Sequence, residues 1–91
     1  MSDRRETPVV AGPGGVMTDE VGVITGDLVV ATDTEGDRAT ITVQYASAEE
    51  WYTVTGSPLT VVGRDGQWVH AAVVRAAAAG LPAGLEEMDV E

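Results

Sequence analysis

Cysteine, lysine and phenylalanine are absent from this chain of 91 residues, and histidine occurs once. Without cysteine there is no disulfide staple, no thiolate metal site and no cysteine nucleophile. A single histidine removes the imidazole-rich zinc clusters as well. Basic residues are scarce: five arginines face fifteen Asp and Glu, for a net charge of −10. Such a chain repels polyanions, so neither nucleic acid nor an anionic membrane is expected as a direct partner, because both reward clustered Lys and Arg. No apolar run approaches the ~20 residues of a membrane span. The start, Met1-Ser2-Asp3-Arg4-Arg5-Glu6, lacks the apolar stretch of a signal peptide. A cytoplasmic protein is the expectation. Arginine without lysine, beside abundant Ala, Val and Gly, fits a GC-rich coding genome. The length allows one domain with a modest core.

Residues 1–22 carry Pro8, Pro13 and four glycines and show no sustained period of 2 or 3.6, which reads as a flexible N-terminal arm. Within it Val9-Val10-Ala11 and Val16-Met17 have the composition of a short docking strand. Residues 82–91 begin at Pro82 and Gly84 and end acidic, which reads as a solvated tail; the alternation of Met88 and Val90 with Asp89 and Glu91 would also suit an added edge strand. Trimming both ends is therefore expected to leave the fold intact. Between them, residues 23–81 read as a single α+β domain. The run 23–32 is β-branched and apolar on both parities, which suggests a strand covered on both faces or one interrupted near Gly26. Ala39-Thr40-Ile41-Thr42-Val43-Gln44-Tyr45 alternates without a fault. The turn-forming residues 33–38 join these two runs into an antiparallel hairpin. A third run spans 51–55, and Leu59-Thr60-Val61-Val62 extends the sheet after a bend at Pro58. A helix follows over 67–79, with Asp65 as N-cap, Gly80 at C′ and Pro82 just beyond. The expected fold is a small antiparallel sheet of three to four strands packed on one C-terminal helix.

From Gln67 to Ala79 the only polar side chains are Gln67, His70 and Arg75. Val69 and Val73 share one face while Trp68 and Val74 point elsewhere, so large residues wrap the axis and a second layer beyond the sheet is expected over this helix. A homodimer supplies one; the contrary reading is that alanines simply tolerate exposure.

Candidate chemistry is sparse. Ser57 in Gly56-Ser57-Pro58-Leu59 lacks the second glycine of a nucleophile elbow and reads as a turn former. His70 lies among apolar residues and reads as a partly buried or interfacial histidine. Asp33-x-Glu35-x-Asp37 has the spacing of the first three calcium-loop ligands, but Arg38 stands where the loop needs glycine and Gln44 where it needs its bidentate acid. No metal, no cofactor and no catalytic residue is expected. Glu49-Glu50 and Glu86-Glu87 are adjacent pairs whose side chains diverge, so neither is a poised acid and base. Trp51 and Tyr52 are successive and must face opposite sides of the sheet, which leaves one aromatic off the helix-packed face as a binding anchor or a dimer contact.

A strand ending in Tyr45, an acidic turn before Trp51-Tyr52-Thr53-Val54, and Trp68-Val69 opening an Ala-rich helix that ends Gly80-Leu81 together resemble the SsgA-like sporulation and cell-division proteins of actinobacteria over residues 39–90. The resemblance implies a developmental or cell-division accessory role. It carries over no fold and no site residue. The residues themselves point to a non-enzymatic interaction or regulatory module, with Trp51, Tyr52, Trp68, His70, Val74, Glu86 and Glu87 as contact candidates and a protein with a basic surface as partner. The alternative is a small-molecule-binding or catalytic accessory with a pocket between sheet and helix near Tyr45, Trp51 and His70.

Overall fold

In chain order the strands are β1 (Ser2–Val10), β2 (Val16–Thr18), β3 (Gly22–Ile24), β4 (Asp27–Glu35), β5 (Arg38–Tyr45), β6 (Tyr52–Thr53) and β7 (Leu59–Thr60), followed by helix α1 (Gly66–Ala79) and a 3-10 turn at Leu85–Glu87. This computed structural model describes residues 2–88, apart from the side chain of Glu87. The fold is α+β: one antiparallel sheet of five strands, a second sheet of two, and one helix near the C-terminus.

The centre of the main sheet is the β4/β5 hairpin, in register from Leu28 opposite Tyr45 to Glu35 opposite Arg38. Alternation explains why this pair forms the centre of the sheet. Ala39, Ile41 and Val43 point to one side and are fully buried with Leu28 and Val30, while the residues between them face the other way. The neighbours run in the order β1-β4-β5-β6, with β7 also on β5. β6 pairs with Thr42 and Val43 and β7 with Ala39 and Arg38, so both lie on the same edge. Between them the Ile41 N–H donates to the Ser57 hydroxyl at 2.8 Å, which keeps the ladder satisfied across the Gly56–Pro58 bend.

Residues 1–22 are not a flexible arm. β1 pairs with β4 along its whole length, from Ser2 opposite Glu35 to Val10 opposite Asp27. Val16–Thr18 then folds back on Gly22–Ile24 as the small sheet. β1 carries no periodic signal because an edge strand with half-exposed faces need not alternate apolar with polar, and its charges are held by ion pairs: Arg5 with Asp3, and Arg4 with Glu6 and with Asp33 of β4. The sheet is wider than the expected three to four strands for the same reason.

The run 51–55 forms only a two-residue strand on β5, because the Ser57 N–H and hydroxyl take the Val54 carbonyl and the Ile41 N–H that the next ladder bond would join, while β2 and its turn hold the other side of the run. Thr55 N–H donates to Met17 O, and the Glu20 carboxylate accepts from both Thr53 N–H and Thr53 Oγ1. The start of the acidic tail is docked, against the expectation of a solvated one. Leu85 is buried, its N–H donates to Thr55 O at 2.8 Å, and Met88 packs against the core. Asp89, Val90 and Glu91 lie outside the described residues, and with them the question of an added C-terminal strand.

The helix is punctuated as expected. Asp65 accepts from the Trp68 N–H at 2.8 Å, and Gly80, at a φ of 106°, donates to the carbonyls of Ala76 and Ala77. Val69, His70, Ala72, Val73 and Ala77 are buried. The outward residues are Gln67, Ala71, Arg75, Ala78 and Ala79, so little apolar surface is left for a second layer. Much of the cover comes from the supposed arm. Gly12 N–H donates to Ala77 O, and Gly12 sits so close that a Cβ there would lie 2.3 Å from Ala78 O.

Candidate interaction edge

The seven contact candidates do not converge. Tyr52 turns toward the core, where it packs beside Val43, its cross-strand partner. Trp51 lies against Arg4, whose guanidinium is 5.0 Å from the ring centroid. Arg4 is opposite Asp33, one residue along β4 from Thr32, which bonds the helix; Trp51 therefore sits on the sheet face away from α1. Trp68 carries Arg64 over its ring at 4.2 Å and is half-buried, as is Val74. Glu86 is exposed in the terminal 3-10 turn, which Glu87 closes.

His70 is at the centre of a short polar chain linking three elements. One ring nitrogen lies 2.7 Å from Thr7 Oγ1 of β1, the other 2.9 Å from Thr32 Oγ1 of β4. The residue is 8 % exposed. Burial, and then the positive charge of Arg5, push its pKa below the ordinary value. Neutral imidazole suits the place, since one nitrogen donates and the other accepts, and both threonine hydroxyls are satisfied. His70 thus joins helix to sheet. Its ring and Trp51 lie on opposite faces, so the pocket expected near Tyr45, Trp51 and His70 is not assembled from these residues. Ser57 is likewise engaged by the Ile41 N–H.

The acidic residues divide by use. Glu20 holds the 53–55 segment, and its hydrogen bonds from Thr53, hydroxyl first and then backbone, keep the carboxyl below its usual range. Asp33 bonds Arg4, while Glu35 and Asp37 lie at the hairpin end. Among the described residues no three His, Asp or Glu side chains group as a metal site. Two clefts open at the ends of the sheet. A polar one of about 270 Å³ is lined by Ser2, Asp33, Glu35 and Arg38, and an apolar one of about 350 Å³ by Pro8, Val9, Val10 and Leu28.

Sequence reasoning missed the backbone of β1. The strand is an edge nine residues long, and the direction of its amides is fixed by two observations. Ala11 N–H donates to Gly26 O, continuing the register that sets residue 9 against 28, so the odd-numbered residues bond β4. Pro8 has no N–H to give and occupies an even position, where a proline on an edge strand belongs. The N–H groups of Arg4 and Glu6 and the carbonyls of Ser2 to Val10 at even positions therefore point away from the sheet. Among the described residues no protein group bonds them. The opposite edge offers no comparable row, because β6 and β7 have two residues each. Pro8 within an otherwise β-compatible run was the available signal.

No protein family, curated protein or solved structure matches this chain. No described helix is long and apolar enough to cross a membrane.

Proposed function

We propose that this chain is a non-enzymatic, cytoplasmic protein-interaction module that regulates or scaffolds a protein partner by accepting an extended segment along the β1 edge. One observation carries the reading: a nine-residue strand whose outward row of backbone groups is unpaired among the described residues. Backbone pairing supplies affinity in strand addition, and side chains at alternate positions supply specificity. The engagement of His70 and Ser57 in hydrogen bonds that join elements agrees with a scaffold role for both.

Glu6→Pro is the test, because it removes one outward N–H and leaves the β4 ladder alone. Hydrogen exchange at Arg4 and Glu6, measured on the protein with and without a partner captured from the native cell, is expected to slow on binding. The Glu6→Pro bait should lose that partner while still folding and melting cooperatively. A partner retained by Glu6→Pro, with exchange at Arg4 unchanged, places binding elsewhere.

The apolar cleft at Pro8, Val9, Val10 and Leu28 favours a second reading, a small-molecule accessory whose site lies at the sheet end instead of under the helix. A metabolite that raises the melting temperature, and loses the effect in Val10→Asp, would establish it. A developmental or cell-division setting rests on the resemblance at residues 39–90 alone.

A further inference from the structure

Two copies of a chain with net charge −10 repel over most of their surface, but β1 is an exception. Asp3 and Glu6 balance Arg4 and Arg5, so residues 2–10 are neutral and the whole net charge lies on the remainder. We propose that the segment accepted by the β1 edge is β1 of a second copy, antiparallel, with the two-fold axis passing at Arg5. This rests on the interaction-edge reading above and names its occupant.

Backbone geometry restricts the register first. Outward amides sit at even positions, so a symmetric pairing must set even residues against even ones, which requires the axis to pass through a residue. The charges then decide among four axes. An axis at Thr7 overlaps residues 4–10 but sets Arg4 against Val10 and Glu6 against Pro8, so it pairs no opposite charges. An axis at Arg4 opposes Arg4 to its own copy and overlaps only residues 2–6. An axis at Glu6 opposes two carboxylates. With the axis at Arg5, residues 2–8 overlap, and Arg4 stands directly across from Glu6 of the second copy, twice by symmetry. The two Arg5 side chains face each other, each already held by its own Asp3 at 2.9 Å and diagonal to Asp3 of the second copy. Pro8 falls opposite Ser2 and contributes its carbonyl to the Ser2 N–H. The result is one continuous sheet through both copies, with both helices on the same side. Charges and proline also serve to blunt sheet edges, but they do so best with one sign, whereas here Arg4 and Glu6 fall opposite one another on reversal about Arg5.

The test uses single and mixed variants of the full chain, with light scattering for mass and circular dichroism for folding. Wild type is expected to be a dimer at high micromolar concentration. Arg4→Glu and Glu6→Arg each place like charges directly opposite, twice per dimer, and each should weaken self-association by at least about tenfold. Mixing the two variants restores opposite charges at every such position, so a heterodimer of near wild-type affinity should form. Net charges make the result selective. Glu6→Arg lowers the repulsion between copies yet is expected to dissociate them, while the mixture has nearly the wild-type repulsion and is expected to associate. A monomeric wild type, single variants that dimerise as wild type does, or a mixture that stays monomeric would overturn the proposal. Should a variant fail to fold, hydrogen exchange on wild type decides: Arg4 and Glu6 amides must slow with rising concentration. A monomer whose Arg4 and Glu6 amides are slowed by another protein ends the self-pairing and leaves the interaction edge standing.

Discussion

At the scale of residues, the sole histidine is spent on architecture. Its ring bridges Thr7 and Thr32, and Thr32 is 1 % exposed, so removing the ring strands a buried hydroxyl. His70→Ala is expected to cost about 2–4 kcal/mol, read by chemical denaturation, with Thr32→Val relieving part of it. The pH dependence follows from the depressed pKa. The folded protein takes the proton less readily than the unfolded chain. Stability is therefore full above about pH 6.5 and falls as pH drops toward the lower folded value, by no more than about 1.4 kcal/mol per pH unit for one proton. Melting between about pH 7.5 and 5.5 should show this slope, and His70→Gln, which keeps a donor and an acceptor, should flatten it. A slope unchanged in His70→Gln would assign it to other groups. His70 was legible in the sequence as a partly buried residue among apolar neighbours. Its partners were not, because Thr7 and Thr32 are 63 and 38 residues away and nothing local marks either hydroxyl.

At the scale of elements, regularity decided what the sequence could show. β5 alternates without a fault and α1 carries a cap at each end, so both were readable nearly to the residue. β1 has neither property. Its outer face rests on paired charges and its inner face on Asp3, Arg5, Thr7 and Val9, which local hydropathy cannot distinguish from a loop. The run 51–55 exceeds β6 for a related reason: the bend at 56–58 brings back Ser57, whose N–H and hydroxyl take the Val54 carbonyl and the Ile41 N–H that a longer β6 would join, and nothing within the run marks this. Two predictions separate the elements. Asp65→Ala should lower stability by about 1 kcal/mol, or roughly 4–8 °C in melting temperature, by losing the cap on Trp68 N–H. In β1, parity sets the cost of proline. Arg5→Pro removes a ladder N–H toward Thr32 and should cost about 3 kcal/mol, whereas Glu6→Pro removes an outward one and should cost well under half as much. Equal costs would mean that the amide directions derived for β1 are wrong. Removal of residues 1–10 is expected to abolish cooperative melting, the reverse of what a flexible arm would give.

At the scale of the whole molecule, the charge that keeps copies apart competes with the pairs that join them at β1, and magnitudes settle the sign of the salt effect. Two bodies of charge −10, with centres one molecular width of 25 Å apart, repel by about 17 kcal/mol in water before screening. A Debye length of about 30 Å at 0.01 M leaves roughly 7 kcal/mol of that, and one of about 8 Å at 0.15 M leaves less than about 1 kcal/mol. Over the same range the two Arg4–Glu6 oppositions, partly exposed, lose a few tenths of a kcal/mol each. Repulsion therefore dominates the difference, and self-association should tighten by at least about tenfold as salt rises from low to physiological strength. A partner with a basic surface shows the opposite slope, because the same acidity attracts it, and Glu86→Gln with Glu87→Gln should slow its association at low salt while leaving the dimer as tight or tighter. Sedimentation across a salt series checks the first slope. Self-association that weakens steadily with salt would mean that local ion pairs, and not the screened repulsion of two acidic bodies, control how copies of this chain meet.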